Sequence, residues 1–271
     1  MRMGQTENCL PHFCGESYSR NGDNMTGTYC FADVIVRIDS IYDKIHLFCA
    51  GYSTEGEPEI HIVVYPQDIE RERRLFEYAA EADGREAERF LPEEYEITAV
   101  YRKIASELPN FNAFLMHGSV VSVDGFAYMF TARAGTGKST HSRLWREVLG
   151  DRAVMVNDDK PLIRIREDGS AIAYGTPWCG KHRLGNRISV PLRAICILQR
   201  STGNHIVKIS KSEAYPMLLQ QIFRPDDVAG LQKTVQLIDR MNVDFWRLGC
   251  NMEPEAAKVS YAAMSGDAGV V

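Results

Sequence analysis

Long apolar runs are missing from this sequence. No stretch of its 271 residues approaches the roughly 18 apolar positions of a membrane-crossing helix, so no membrane partner is expected. Strong charge of either sign is missing too. The chain has 31 Lys and Arg against 36 Asp and Glu, a formal net charge of −5. Such a balance offers no overall attraction to nucleic acid or anionic lipid, and no nucleic-acid partner is expected. The seven cysteines, at 9, 14, 30, 49, 179, 196 and 250, are odd in number, contain no C-x-x-C pair and show no zinc-ligand spacing. A disulfide framework is not expected, and Cys196, inside an apolar run, reads as core filling. Internal repeats, heptads and low-complexity tracts are absent as well. The opening MRMGQTENCLPHFCGE lacks an apolar run after its one arginine, which argues against a secretory leader and for a cytoplasmic location.

What is present is a globular composition. With 45% hydrophobic and 25% charged residues, the chain has the means to build a core, and global disorder is excluded. Its length suits one or two domains. Residues 1–25 are polar and aperiodic and read as a flexible tail. Met25 opens a more structured sequence, so initiation there rather than at Met1 is an expectation. Residues 26–110 read as a strand-and-helix subdomain and residues 111–271 as a second domain.

In the first of these, β-branched and aromatic residues predict strands over 31–38, 44–52 and 59–66. Helical spacing follows over about 67–82, with Ile69, Leu75, Phe76 and Ala79 among charges, and over 94–108, where Pro109-Asn110 stops it. The run Glu70–Arg74 reads as a solvated helix face.

The texture then changes. Two apolar runs, 114–123 and 126–132, meet at Asp124-Gly125, a two-residue hairpin signal because a type I′ turn needs positive φ at both centres. The second run leads into Arg133-Ala134-Gly135-Thr136-Gly137-Lys138-Ser139-Thr140 and then an amphipathic helix ended by Gly150. Further strands are expected over 153–157, 161–165, 171–175, 192–200 and 243–248. Further helices are expected over 212–223, with Pro216 near its start, over about 228–241, and over 254–264, with Asn251 as a candidate cap and Pro254 in the first turn.

Strand, glycine-rich turn, Lys-Ser and helix together form a phosphate cradle. Consecutive N–H groups wrap an anion, and the helix N-terminus adds partial positive charge. Lys138 suits a β/γ-phosphate and Ser139 a Mg²⁺ ion; Ala134, Gly135, Thr136, Gly137 and Thr140 complete the nucleotide-binding candidates. The strict P-loop (Walker A) pattern begins with glycine, and here Ala132 stands in that place. Asp158 and Asp159 end a buried strand, 20 and 21 positions after Lys138. Adjacent carboxylates repel unless a cation or proton intervenes, and beside phosphate Mg²⁺ is the natural cation. One acid would hold the metal and the other take the proton of an attacking hydroxyl. The sequence does not separate these roles. Both acids stand as catalytic candidates, and Asp159 joins Ser139 as a metal candidate. His117, just before the hairpin, suits contact with the transferred phosphate or bracing of an acid. Lys181, His182, Arg183 and Arg187 follow Trp178, either as an anion clamp or as solvated charge. Trp178 itself reads either as a stacking surface for adenine or as a buried side chain.

His117-Gly118, the Asp-Gly hairpin entering AGTGKST, and Asp158-Asp159 at a strand end resemble the kinase domain of HPr kinase/phosphorylase and its relatives. That family shares a core with ATP-dependent phosphoenolpyruvate carboxykinase. The likeness covers about 111–200. A two-residue turn forces antiparallel pairing beside the cradle, unlike common P-loop folds. The resemblance implies an α/β fold with a mixed, largely antiparallel sheet. It also implies ATP with Mg²⁺, and phosphoryl transfer to a hydroxyl, with a serine of a small protein or peptide as acceptor; a small-molecule acceptor and a homo-oligomer are also compatible. The loop GTPWCGKHR stands where the HPr kinases carry a further signature. Two other functions share the cradle: a nucleotide sensor without transfer, and a small carboxykinase-like phosphotransferase.

Overall fold

The computed structural model describes residues 25–180 and 182–266. The expectations for the tail and its start site, and for Cys9, Cys14 and Lys181, lie outside the described residues. Over the described residues the chain is a mixed α/β structure with two sheets.

The first sheet is small. Strand β1 (Met25–Phe31) and β2 (Val34–Ser40) pair antiparallel, and β3 (Ile60–Val63) adds parallel to β2. Val34, Val36 and Ile38 alternate into the core with no exposed surface, the period of a half-buried strand. Ala32 and Asp33, both at positive φ, make the turn between β1 and β2, so the expected strand over 31–38 is broken by a hairpin. The expected strand over 44–52 is instead helix α1 (Lys44–Cys49) and a 3₁₀ turn (Ala50–Tyr52). Ile45 and Cys49 are its buried residues, four apart, so helical spacing overrides β propensity. Helices α2 (Pro66–Ala82) and α3 (Pro92–Glu107) lie close to their expected positions, each with proline in the first turn. Within the charged run on α2, Glu72 is an exception to the solvated face. It is buried and accepts bonds of 2.6 and 3.1 Å from the Arg102 guanidinium on α3.

The second sheet has nine strands. The expected run over 114–123 splits into β4 (Ala113–Leu115) and β5 (Ser119–Val123). The break at 116–118 lets β4 pair with β8 (Leu162–Ile165) while β5 pairs with β6 (Phe126–Thr131) and β7 (Ala153–Asn157). Asp124 and Gly125 turn the β5–β6 hairpin at φ 50° and 83°. Helix α4 (Lys138–Leu149) joins β6 to β7. Strand β9 (Ala171–Tyr174) pairs with β8 and with the first residues of β10 (Ser189–Arg200), all antiparallel. β10 also runs parallel to β6 and to β12 (Asp244–Cys250). On the edge lies β11 (His205–Ile209), a strand the sequence reading did not place.

Helices cover both faces. Val120, Met129 and Ile195 pack beneath α5 (Lys211–Gln221) and α6 (Val228–Arg240). Their sequence neighbours Val121, Phe130 and Cys196 pack beneath α4 and α7 (Pro254–Ser265). Pro216 sits inside α5 rather than near its start, and Ser210, not the proline, sets the beginning through its bond with Glu213 N–H. Asn251 is not the α7 cap: Glu253 holds that position, and Asn251, two residues earlier, accepts from Glu253 N–H through its Oδ1. A third apolar cluster joins the small sheet to the large one, from Phe31 and Val36 through Ile97 and Ile104 to Leu162, Tyr174 and Trp178. Among the described residues no helix is long and apolar enough to cross a membrane.

Candidate functional site

The loop between β6 and α4 bends because Gly135 (φ 69°) and Gly137 (φ 120°) occupy backbone regions that side-chain-bearing residues avoid. Thr136 N–H bonds Arg133 O at 3.3 Å, and His141 N–H starts the helix ladder on Gly137 O at 2.9 Å. Lys138 Nζ folds back to Ala132 O at 3.3 Å. The Arg200 guanidinium, at the end of β10, donates to Gly135 O and tethers the bend from the neighbouring strand. A Cβ placed on Gly135 would meet nothing within 4 Å; the loop faces open space, not packed protein.

That space is a cavity of about 320 Å³, lined by Ala134, Gly135, Gly137, Lys138, Ser139 and Thr140 on one side. His117, Asp158, Asp159, Gly180 and His182 line the other. Of the nucleotide-binding candidates over 134–140, Thr136 is the one that does not line it. The twin acids therefore face the bend, as their position at the end of β7 suggests.

Asn157, wholly buried, orients the two acids. Its Oδ1 accepts from the N–H groups of Asp159 (2.9 Å) and Lys160 (2.7 Å), and its Nδ2 donates to Thr176 O (3.1 Å) and Oγ1 (2.9 Å). The carboxylates then part into different surroundings. Asp158 Oδ1 accepts from Ser119 Oγ at 2.6 Å, and Ser119 is 2.6 Å from Ser142 Oγ. Burial pushes the Asp158 carboxyl above its ordinary range, against the pull of hydrogen bonds from Ser119 and Ser139. Asp159 is placed between two partners: His117 Nε2 at 3.1 Å from Oδ1 and the Lys160 ammonium at 2.9 Å from Oδ2. Burial alone would raise Asp159 as well, but the Lys160 charge and the His117 hydrogen bond overcome it and hold this carboxyl far below the usual range.

His117 thus braces an acid, one of its two sequence-level roles. Its own backbone is fixed by Gln221 O (2.7 Å) and by Thr131 Oγ1, which donates to His117 O at 3.0 Å. Trp178 is buried among Phe31, Phe48 and Tyr101. Arg187 donates to Gly51 O and Ser53 O at 3.1 and 3.3 Å. Sequence reading missed Ser119, Ser142, Asn157 and Arg200. Two of these carry a signal: Ser142 is one helical turn after Lys138, on the same face, and Asn157 directly precedes the acids as an Asx-turn former.

The donor set fits a hard cation beside phosphate. Among the described residues no group of three or more His, Cys, Asp or Glu is arranged to hold a metal alone. Mg²⁺ characteristically takes only one or two protein oxygens and completes its shell with water and phosphate. Ser139 and Asp158 supply a hydroxyl and a carboxylate of that kind.

No protein-family model matches the sequence, and no curated protein matches it. Among solved structures, the fold is similar to the HPr(Ser) kinase/phosphatase from Coxiella burnetii. The similarity has 11% sequence identity and a TM-score of 0.34, and covers 57% of this chain and 99% of that one. A likeness at that level says nothing of this chain's chemistry.

Proposed function

We propose that this protein is a Mg²⁺-dependent phosphotransferase that moves the γ-phosphoryl group of ATP to a hydroxyl. The observation that carries the reading is the contrast between the two acids on the cavity facing the glycine-rich bend. One is kept ionised by a histidine and a lysine; the other is buried against serine hydroxyls.

In this reading the 134–140 backbone and the α4 N-terminus bind the phosphates, and Lys138 leaves Ala132 O to meet them as a point charge. Ser139 and Asp158 hold the metal. The metal role expected for Asp159 is proposed for Asp158 instead, because both Asp159 oxygens are already engaged, by His117 and Lys160, and Asp158 is the acid bonded to Ser139. When bound, Mg–ATP supplies the transferable group and neutralises charge on its oxygens. Asp159 receives the acceptor's hydroxyl proton as the oxygen attacks phosphorus and the bond to the β–γ bridging oxygen breaks. Its low basicity suits a loose transition state, in which the base orients more than it deprotonates. His117 keeps Asp159 ionised and aimed. The reading stops at the hydroxyl: a serine acceptor rests on the sequence resemblance alone.

The test is calorimetric titration of the full chain with ATP and Mg²⁺, followed by transfer assays with γ-labelled ATP. Saturable binding that Lys138→Ala weakens, with transfer that Asp159→Asn removes, supports the reading. A wild-type chain that binds no Mg–ATP, or an Asp159→Asn chain that transfers at the wild-type rate, overturns it.

A further inference from the structure

A second, larger cavity of about 440 Å³ adjoins the first, and Asp159 and Gly180 line both. Its far walls come from the N-terminal part of the chain: Phe48 on α1, Tyr52 in the 3₁₀ turn, and Ile97 and Tyr101 on α3. Trp178 closes it, with ring centroids 5.8 Å from Phe48 and 5.6 Å from Tyr101. Lys160, Arg183 and Arg187 also line the cavity, against the single carboxylate of Asp159.

Resting on the phosphotransferase reading above, we propose that this cavity is the acceptor site and that the acceptor is a small aromatic hydroxy acid. Each part of the ligand answers a feature of the wall. A flat apolar ring matches the Trp178, Phe48 and Tyr52 surfaces. A carboxylate matches the charge balance of the lining, in which Lys160, Arg183 and Arg187 stand against one acid. The hydroxyl reaches Asp159, the one acid common to both cavities. A volume of about 440 Å³ falls in the range of small-molecule pockets, roughly 300–1,000 Å³, and its walls come from separate chain segments on several sides. In the reaction, the acceptor oxygen forms its bond to the γ-phosphorus as the bond to the β–γ bridging oxygen breaks. The hydroxyl proton passes to Asp159, and ADP leaves. The N-terminal part of the chain is therefore the specificity element of the enzyme.

The experiment uses three probes on the full chain by saturation-transfer NMR and calorimetry: 4-hydroxyphenylacetate, tyramine and lactate. The first has ring, hydroxyl and carboxylate; the second exchanges the carboxylate for an amine; the third lacks the ring. 4-Hydroxyphenylacetate is expected to bind about tenfold tighter than either of the others. Gly51→Phe fills the cavity from its edge, where a Cβ meets nothing within 4 Å. It should weaken 4-hydroxyphenylacetate at least about tenfold, and a Mg–ATP titration of the same variant reports that the fold is intact. Equal binding of all three probes, or Gly51→Phe binding 4-hydroxyphenylacetate like wild type, overturns the proposal. So does transfer to a serine peptide by a chain that does not bind 4-hydroxyphenylacetate. Absent Mg–ATP binding strikes the phosphotransferase reading instead, and is read in a separate titration.

Discussion

His117 Nε2 lies 3.1 Å from Asp159 Oδ1, a contact joining a residue two before β5 to the residue pair after β7. Two strands that are neighbours in the sheet thus deliver a base and its brace to one point. Asp159→Asn keeps the shape but cannot take a proton, so transfer should fall by about 10²–10⁴-fold while Mg–ATP affinity stays within a few-fold. His117→Asn should cost less in rate and move the pH profile. His117 is one of the groups lowering Asp159, so its loss raises that carboxyl, and the acid limb of the rate profile shifts to higher pH. A profile that stays in place assigns His117 a structural role only.

Lys138→Ala should weaken Mg–ATP binding by about tenfold or more, the scale of a lost charge-assisted phosphate contact. Lys138→Arg should restore little, because the planar guanidinium does not follow the path of a flexible ammonium inside a tight loop. Calorimetry with ATP separates the two variants directly.

Asp158 and Ser139 should behave as one unit toward the metal. Asp158→Asn and Ser139→Ala should each raise the Mg²⁺ concentration for half-maximal nucleotide binding, and the double variant should fall short of the sum. Burial raises the Asp158 carboxyl; it takes up a proton at a higher pH than an ordinary aspartate, and wild-type Mg²⁺ dependence should steepen on acidification. Asp158→Asn should remove that pH effect. Mg²⁺ titrations at several pH values decide it.

How far these sites were legible in the sequence follows from how local their causes are. The Asp-Gly turn, the glycine-rich bend and the acids at a strand end are set by a few neighbouring residues, and the structure has each of them where local chemistry puts it. Helix α1 was hidden because Ile, Phe and Cys suit a strand as well as a helix, and burial of Ile45 and Cys49 decides between the two only once the small sheet is folded. Strand β11 was hidden because its residues are mostly exposed, so no burial pattern marks it. The split between Asp158 and Asp159 was invisible for the same reason at longer range: Ser119 and His117 reach them across about 40 residues of sequence. The second cavity is further still from local reading, since α1, α3 and the loop after β9 meet only through the shared core.

His141 gives stability a pH dependence of predictable sign. It is buried on α4, edge-on to Phe130, with Nε2 at 3.0 Å from Ser260 Oγ, and burial lowers its pKa to about 4. The unfolded chain protonates this imidazole near the ordinary value of about 6.5, the folded chain only near 4. Between those values the unfolded state binds the extra proton. The stability due to this group is therefore complete above pH 6.5 and is lost as pH falls toward 4. The slope approaches ~1.4 kcal/mol per pH unit for one proton. His141→Phe should flatten that segment of the urea-derived stability curve relative to wild type; parallel curves sink the assignment.

Gly175→Ala tests how tightly the acids depend on the loop behind them. A Cβ on Gly175 would lie 1.8 Å from Asn186 O and 2.7 Å from Val156 O. Both obstacles are backbone, so no side chain can swing away. Asn186 is itself held to β7, by N–H to Val156 O at 3.1 Å and by Nδ2 to Met155 O at 2.7 Å. Adding one methyl must push the 177–187 loop off the strand that ends in Asp158 and Asp159. Overpacking of that kind costs about 1–3 kcal/mol, more when backbone must move, and the upper part of that range is expected by urea denaturation. The same displacement carries Trp178 and Gly180 away from Asp159, so transfer should fall further than Mg–ATP affinity, which rests on the loop before α4. Equal losses in both would mean that the two sides of the site move as one.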